Sequence, residues 1–254
     1  MIKSLVKKMI PASIKVGMKS FLVRILGQRV VSNDMFDHLS ELKKLGYRPE
    51  CIIDVGAYKG DWTSKISKIF PQAQILMLEA QPDKEKYLKE IAQNNPNIEY
   101  QIALLGAKVE GSVKFYKMET GSSVYSEQTD AQREVVTLEM KTLDSVALSF
   151  SSGSNVLLKL DVQGAEIDIL EGAENILSSV EFILLEASVL NYNKNAPLIG
   201  EIFQYLNEKD FILFDICEQK RTSSNVLMQV DLLFTKKHVK IRKENNFYAK
   251  IEYN

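Results

Sequence analysis

The chain has 254 residues, 45% of them hydrophobic and 26% charged, which is an ordinary folded composition with enough apolar side chain for one substantial core. A formal net charge of −1 argues against a surface built throughout for nucleic acid. The two cysteines, Cys51 and Cys217, each lie in an apolar run and read as buried thiols of a cytoplasmic protein.

The first 33 residues hold seven Lys or Arg and no acid. Ile2, Leu5, Val6, Met9 and Ile10 fall at helical spacing, as do Ile14, Met18, Phe21, Leu22 and Ile25, with Pro11 between the two patterns. Such basic amphipathic helices either pack on the parent domain, join a second subunit in a homo-oligomer, or make peripheral contact with an anionic membrane through residues 1–30. The spacing leaves all three open. No secretory pattern follows the basic start, and no stretch approaches the roughly 20 apolar residues of a membrane-spanning helix.

Residues 34–46 read as a helix closed by Gly46. From Cys51 the pattern becomes strand–helix alternation. Cys51–Val55 is a strand, Asp61–Phe70 a helix, Gln74–Glu79 a strand, Pro82–Asn94 a helix and Ile98–Ala103 a strand. Ser112–Met118 and Val135–Lys141 then alternate like antiparallel strands. The α/β rhythm resumes with Asn155–Leu160, a helix over Ala165–Leu177, strand Phe182–Glu186, helix Leu198–Lys209, and strands Phe211–Asp215 and Leu227–Thr235. The organisation predicted is a helical extension over 1–49, a principal domain over 50–238 and a C-terminal extension over 239–254. Its fold class is α/β with a largely parallel sheet, so functional residues should stand just beyond the strand ends.

The first strand runs into Asp54-Val-Gly-Ala-Tyr-Lys-Gly60. Gly56 permits a tight turn and a close approach of ligand to backbone, and Gly60 leads into the next helix. The spacing is not the G-x-G-x-x-G of a pyrophosphate site, and Asp54 would attract an ammonium group, directly or through water. The second strand closes on Glu79-Ala-Gln-Pro82, where Glu79 suits the two hydroxyls of a ribose. A nucleoside that carries an amino acid and no phosphate satisfies both, and S-adenosylmethionine is such a molecule. The later strands end in Asp161 and Glu186, with Tyr192 close behind; these are candidates to bind or deprotonate an acceptor. The two histidines, His38 and His238, lie apart in sequence, and no CxxC or HxxxH is present, so no histidine-based metal site is expected, while an all-oxygen divalent-cation site from Asp161 and Glu186 stays open.

Four runs together, Ile53-Asp-Val-Gly-Ala-Tyr-Lys-Gly60, Glu79-Ala-Gln-Pro82, Thr142-Leu-Asp144 and Lys159-Leu-Asp-Val-Gln-Gly-Ala-Glu166, resemble the FkbM family of methyltransferases. Leu170-Glu-Gly-Ala173, Leu185-Glu-Ala-Ser188 and Gln229-Val-Asp-Leu-Leu-Phe234 continue the likeness in order. Family members usually carry Glu at the position of Gln163 and Asn at that of Tyr58. The resemblance implies a class I, Rossmann-like methyltransferase with seven strands, helices on both faces and an antiparallel last strand. It implies S-adenosyl-L-methionine as cofactor and O-methyl transfer to a small-molecule or glycan acceptor. Carried over position by position, Asp54, Gly56, Ala57, Tyr58 and Gly60 form the methionine side and Glu79 holds the ribose. Ala80 and Gln81 lie near the adenine, Ala103 and Leu104 cover its other side, and Ser122 and Ser123 stand near the cofactor. Asp161 faces the transfer site, and Asp161 and Glu186 are the candidate catalytic residues. A nicotinamide oxidoreductase on a similar fold and a non-catalytic cofactor-binding protein are the competing readings.

Overall fold

A computed structural model describes residues 34–119, 121–126, 133–147, 150, 155–239 and 241. The two expected basic helices and most of the C-terminal extension lie outside the described residues.

Helix α1 (Met35–Lys44) begins at Asp34, whose carboxylate accepts a hydrogen bond from the Phe36 amide at 2.9 Å. It ends before Gly46, which adopts φ 102°. The alternating elements follow as strand β1 (Cys51–Val55), helix α2 (Asp61–Ile69), strand β2 (Gln74–Glu79), helix α3 (Glu85–Asn94) and strand β3 (Ile98–Ile102). Pro82–Lys84 forms a separate 3-10 turn ahead of α3. Strands β4 (Leu104–Leu105), β5 (Glu110–Lys117) and β6 (Glu134–Lys141) make a small sheet in the order β4-β6-β5. After helix α4 (Leu143–Ala147) come strand β7 (Val156–Leu160), helix α5 (Glu166–Glu171), strand β8 (Val180–Ser188), helix α6 (Ile199–Glu208), and strands β9 (Phe211–Arg221) and β10 (Leu227–Lys236).

The main sheet has seven strands in the order β3-β2-β1-β7-β8-β10-β9. β10 is antiparallel to both neighbours, and the other pairings are parallel. Both faces are covered. Val55, Leu158, Leu160, Ile169 and Leu185 belong to one core cluster, and Ile52, Leu157, Leu184 and Ile66 to the other. This double burial explains the near-continuous apolar runs of β1 and β7. It also makes Asp54 and Lys159, on those two strands, the positions that need a reason. Connections leave β1 toward β2 on one side and arrive at β7 on the other, so the strand ends open a crevice between them.

Two expected elements differ. The helix predicted over Ala165–Leu177 stops at Glu171, and a 3-10 turn follows at Ile176–Ser178. A Cβ at Gly172 would stand 2.3 Å from the Gly106 carbonyl oxygen, so the chain presses backbone to backbone there. The Asp144 carboxylate, at 3.0 Å from the Ile176 amide, then holds the new turn. The strand predicted over Phe211–Asp215 continues to Arg221, because β10 pairs with it along its length.

Candidate active site

A cavity of about 270 Å³ opens at the carboxyl ends of β1, β2 and β7, a little below the roughly 300–1,000 Å³ usual for small-molecule sites. Two turns build its floor. In the first, the Gly56 and Ala57 amides both donate to the Leu78 carbonyl, at 2.9 and 3.1 Å. In the second, Gln163 and Gly164 take φ 55° and 109°. The turns touch: a Cβ on Gly56 would lie 2.0 Å from the Asp161 carbonyl oxygen, at a φ of 74°.

Glu79 is 5% exposed, and its oxygens accept hydrogen bonds from the Tyr58 and Gln81 amides at 2.7 and 2.9 Å. Burial raises its pKa, while the two amides hold the carboxylate in place against that. Each oxygen keeps a lone pair for a further donor, as a ribose diol requires. Gln81, 4% exposed, lines the same cavity with its Oε1 buried and without a partner. An amino group such as that of adenine would satisfy it. Leu78, Leu104, Leu105 and Phe115 supply apolar walls that suit a flat base, and Ala80 and Ala103 complete them.

Ser122 and Ser123 also line the cavity, with their hydroxyls engaged inside the protein. Ser122 Oγ donates to the Met118 carbonyl at 2.7 Å, and Ser123 Oγ donates to the Gln163 carbonyl at 2.9 Å, tying this loop to the second turn. Tyr58 donates its hydroxyl to Glu119 at 2.5 Å.

Asp54, Ala57 and Gly60 stand behind the wall of the cavity rather than on it. Asp54 has no exposed surface; it pairs with Lys159 Nζ at 2.9 Å and accepts from Thr63 Oγ1 at 2.7 Å. The ammonium that the sequence reading brings to Asp54 from a ligand is therefore provided by the protein. Lys159 also donates to the Gly56 carbonyl at 3.1 Å, so the pair fixes the first turn. Burial opposes the charge on Lys159, but Asp54 and Asp161 outweigh it and its pKa lies above the ordinary value. Ala57 is buried in the second core cluster, and a Cβ on Gly60 would meet Ile91 Cδ1 of α3 at 2.3 Å.

At the far end of the cavity, Asp161 presents a side chain 42% exposed. Gln163 Nε2 donates to Asp161 at 3.2 Å and to Glu186 at 2.5 Å. Glu186 is 4% exposed, away from the cavity surface, and further held by Gln229 Nε2 at 2.5 Å and by an ion pair with Lys220. Burial and the neighbouring Asp161 raise its pKa. Tyr192 donates to Gln163 Oε1 at 2.9 Å. The amide at position 163 thus joins two carboxylates that a third carboxylate would repel. Sequence reasoning missed Lys220, which lines the cavity. It stands in the polar run Glu218-Gln-Lys-Arg221, which carries no local signal; only the extension of β9 brings it here.

A parallel sheet with one antiparallel strand, a glycine turn after β1 and a buried acid after β2 defines the class I, Rossmann-like methyltransferases. The chain belongs to the FkbM methyltransferase family: the family's methyltransferase FkbM domain matches residues 54–213. It carries that family's methyltransferase domain, and the residues around Glu79 and Gln81 fit S-adenosylmethionine. No curated protein sequence matches the chain. Among solved structures it is similar to methyltransferase FkbM from Methylobacillus flagellatus KT, at 12% identity and TM-score 0.49, covering 74% of this chain and 43% of that one. It is similar to Aeropyrum pernix fibrillarin, solved with natively bound S-adenosyl-L-methionine, at 12% identity, TM-score 0.46 and coverage of 74% and 67%. An O-methyltransferase family protein from Burkholderia thailandensis gives 12% identity, TM-score 0.45 and coverage of 80% and 55%. The chain spans less than half of the Methylobacillus protein. Among the described residues no helix is long and apolar enough to cross a membrane.

Proposed function

We propose that the enzyme methylates a sugar hydroxyl of a glycan, nucleotide sugar or glycosylated metabolite. The observation that carries this reading is the composition of the far end of the cavity. Asp161, Gln163 and Lys220 line it, with Tyr192 bonded to Gln163 behind. Such a wall suits a polyhydroxylated acceptor, since each hydroxyl both donates and accepts.

Bound S-adenosylmethionine supplies a methyl group on a sulfonium. The protein's part is to hold the acceptor oxygen in line with that methyl and to take its proton. Positioning of this kind contributes several kcal/mol. Asp161 is the carboxylate that lines the far end of the cavity beside Gln163 and Lys220, and it receives the hydroxyl proton. Glu186 acts through others: enclosed by Gln163, Gln229 and Lys220, it fixes the groups that orient Asp161.

Asp161→Asn is expected to lower kcat by about 10²–10⁴-fold, the usual contribution of a positioned base, with S-adenosylhomocysteine affinity intact. The measurement is labelled-methyl transfer to a panel of sugars and nucleotide sugars, with calorimetry alongside. Near-normal turnover in this variant would remove Asp161 as the base. Methyl transfer to none of the sugars would remove the acceptor class.

A further inference from the structure

Gln163 sits in the turn after β7 with its backbone at φ 55°, a left-handed conformation that residues with a side chain rarely adopt. Its carbonyl accepts from Ser123 Oγ at 2.9 Å and from Asn193 Nδ2 at 2.8 Å. Ser123 and Asn193 are both buried, so residues from two other loops hold the turn in this shape. Backbone strain that the surroundings keep in place marks a position where geometry matters.

The side chain has one orientation open to it. Ionised carboxylates only accept, so the amide turns Nε2 toward Asp161 Oδ1, at 3.2 Å, and Glu186 Oε1, at 2.5 Å. Its oxygen then faces Tyr192, whose hydroxyl directs its single proton there at 2.9 Å. With that proton committed, the Tyr192 oxygen accepts from Gln229 Nε2 at 2.5 Å, and Gln229 Nε2 closes the ring on Glu186 Oε1 at 2.5 Å. Lys220 pairs with the other Glu186 oxygen. The direction of every bond in the ring therefore follows from one buried carboxylate. Asp161 is where this ring meets the cavity. Bound through Oδ1, it has Oδ2, 3.9 Å from Lys159 Nζ, left to meet a hydroxyl.

We propose that Gln163 is a positioning residue for methyl transfer and that Tyr192 acts by fixing its direction. Held by the Gln163 amide through Oδ1, Asp161 turns Oδ2 to the acceptor hydroxyl and takes its proton there, which leaves the oxygen's electron pair for the methyl. The inference rests on the reading of Asp161 as proton acceptor for a sugar hydroxyl, and it adds the residues that aim it. Without the amide, the half-exposed Asp161 side chain is free to swing, and a misplacement of about 1 Å at such a site costs about 10²-fold in rate. Tyr192 stands behind the cavity wall, as an indirect role requires.

The test measures labelled-methyl transfer to the sugar that the unaltered enzyme methylates best, with S-adenosylhomocysteine affinity by calorimetry. Gln163→Met keeps the length of the side chain and removes its donors. Its kcat should fall by about 10²-fold with KM and S-adenosylhomocysteine affinity little changed, the pattern of an interaction made in the transition state. Tyr192→Phe should give a smaller loss of the same kind. Neither change should lower kcat further in an Asp161→Asn background, because both act through that carboxylate. Losses that add to that of Asp161→Asn, or near-normal kcat in Gln163→Met, overturn the role of Gln163 and leave Asp161 as the base. Near-normal turnover in Asp161→Asn, or methylation of no sugar, overturns the earlier reading and this inference together. Activity lost in EDTA and restored by magnesium assigns Asp161 and Glu186 to a divalent cation and overturns the role of the amide. If Gln163→Met does not fold, Tyr192→Phe, which removes one hydroxyl, decides through the same comparison.

Discussion

Asp54 and Lys159 are both almost fully enclosed, and each is the other's charge partner. Removing one member of such a pair leaves a bare charge, which costs about 3–5 kcal/mol. Lys159→Met should therefore lower unfolding stability by that amount in urea titrations. Adding Asp54→Asn should recover most of the loss, because no buried charge then lacks a partner. Glu166 poses the opposite problem. It is 2% exposed, its Oε1 accepts from the Gly164 amide at 3.1 Å, and burial raises its pKa to about 8. The folded protein binds a proton there that the unfolded chain releases near pH 4.5, so stability falls as pH rises from about 4.5 to about 8. The slope from this group approaches 1.4 kcal/mol per pH unit, and it levels off above pH 8. Glu166→Gln should flatten the profile across that window in thermal melts at stepped pH. An unchanged slope would mean that Glu166 is ionised in the folded protein.

The two glycine turns can be compared through what surrounds them. At Gly56 a side chain would have both a positive φ and the Asp161 carbonyl oxygen 2.0 Å away, whereas at Gly46 the space is open and only the φ of 102° resists. Gly46→Ala should cost about 1–2 kcal/mol, the strain of the left-handed conformation alone. Gly56→Ala should cost clearly more, or abolish soluble expression, because the β1 and β7 turns must separate. Melting temperatures of the two variants give the contrast, and equal losses would show that the turns do not press together. The same elements show what could be read in advance. Strands β1, β2 and β7 were legible because burial on both faces leaves unbroken apolar runs that end in glycine or acid. The end of α5 was not, since Gly172 looks like any helical glycine until Gly106 lies against it. Nor was the second half of β9, whose partner is the other arm of its own hairpin.

At the level of the folded chain, a ligand that fills the cavity stabilises the fold, so its binding can be read as a shift in stability. S-adenosylhomocysteine at 100 times its Kd should stabilise the protein by about 2.7 kcal/mol. For a protein of this size that raises Tm by roughly 5–10 °C. NAD at the same concentration should leave Tm unchanged, and a comparable rise with NAD would point to the oxidoreductase alternative. The parallel sheet, the glycine turn, Glu79 and the placing of Asp161 at a strand end follow from local patterns, since each rests on a few consecutive residues whose side chains face a strand, a turn or a helix start. Three things depended on residues distant in the chain. Lys159 meets Asp54 across 105 positions, Gln163 ties Asp161 to Glu186, and the β9–β10 hairpin carries Lys220 to the far end of the cavity. Charge pairing and burial arise from neighbours in space, and neither is written in the spacing of one segment. For that reason the glycine turn after β1 and the acid that closes β2 were visible in the amino-acid order, while the charged far end of the cavity took shape only when the strands came together.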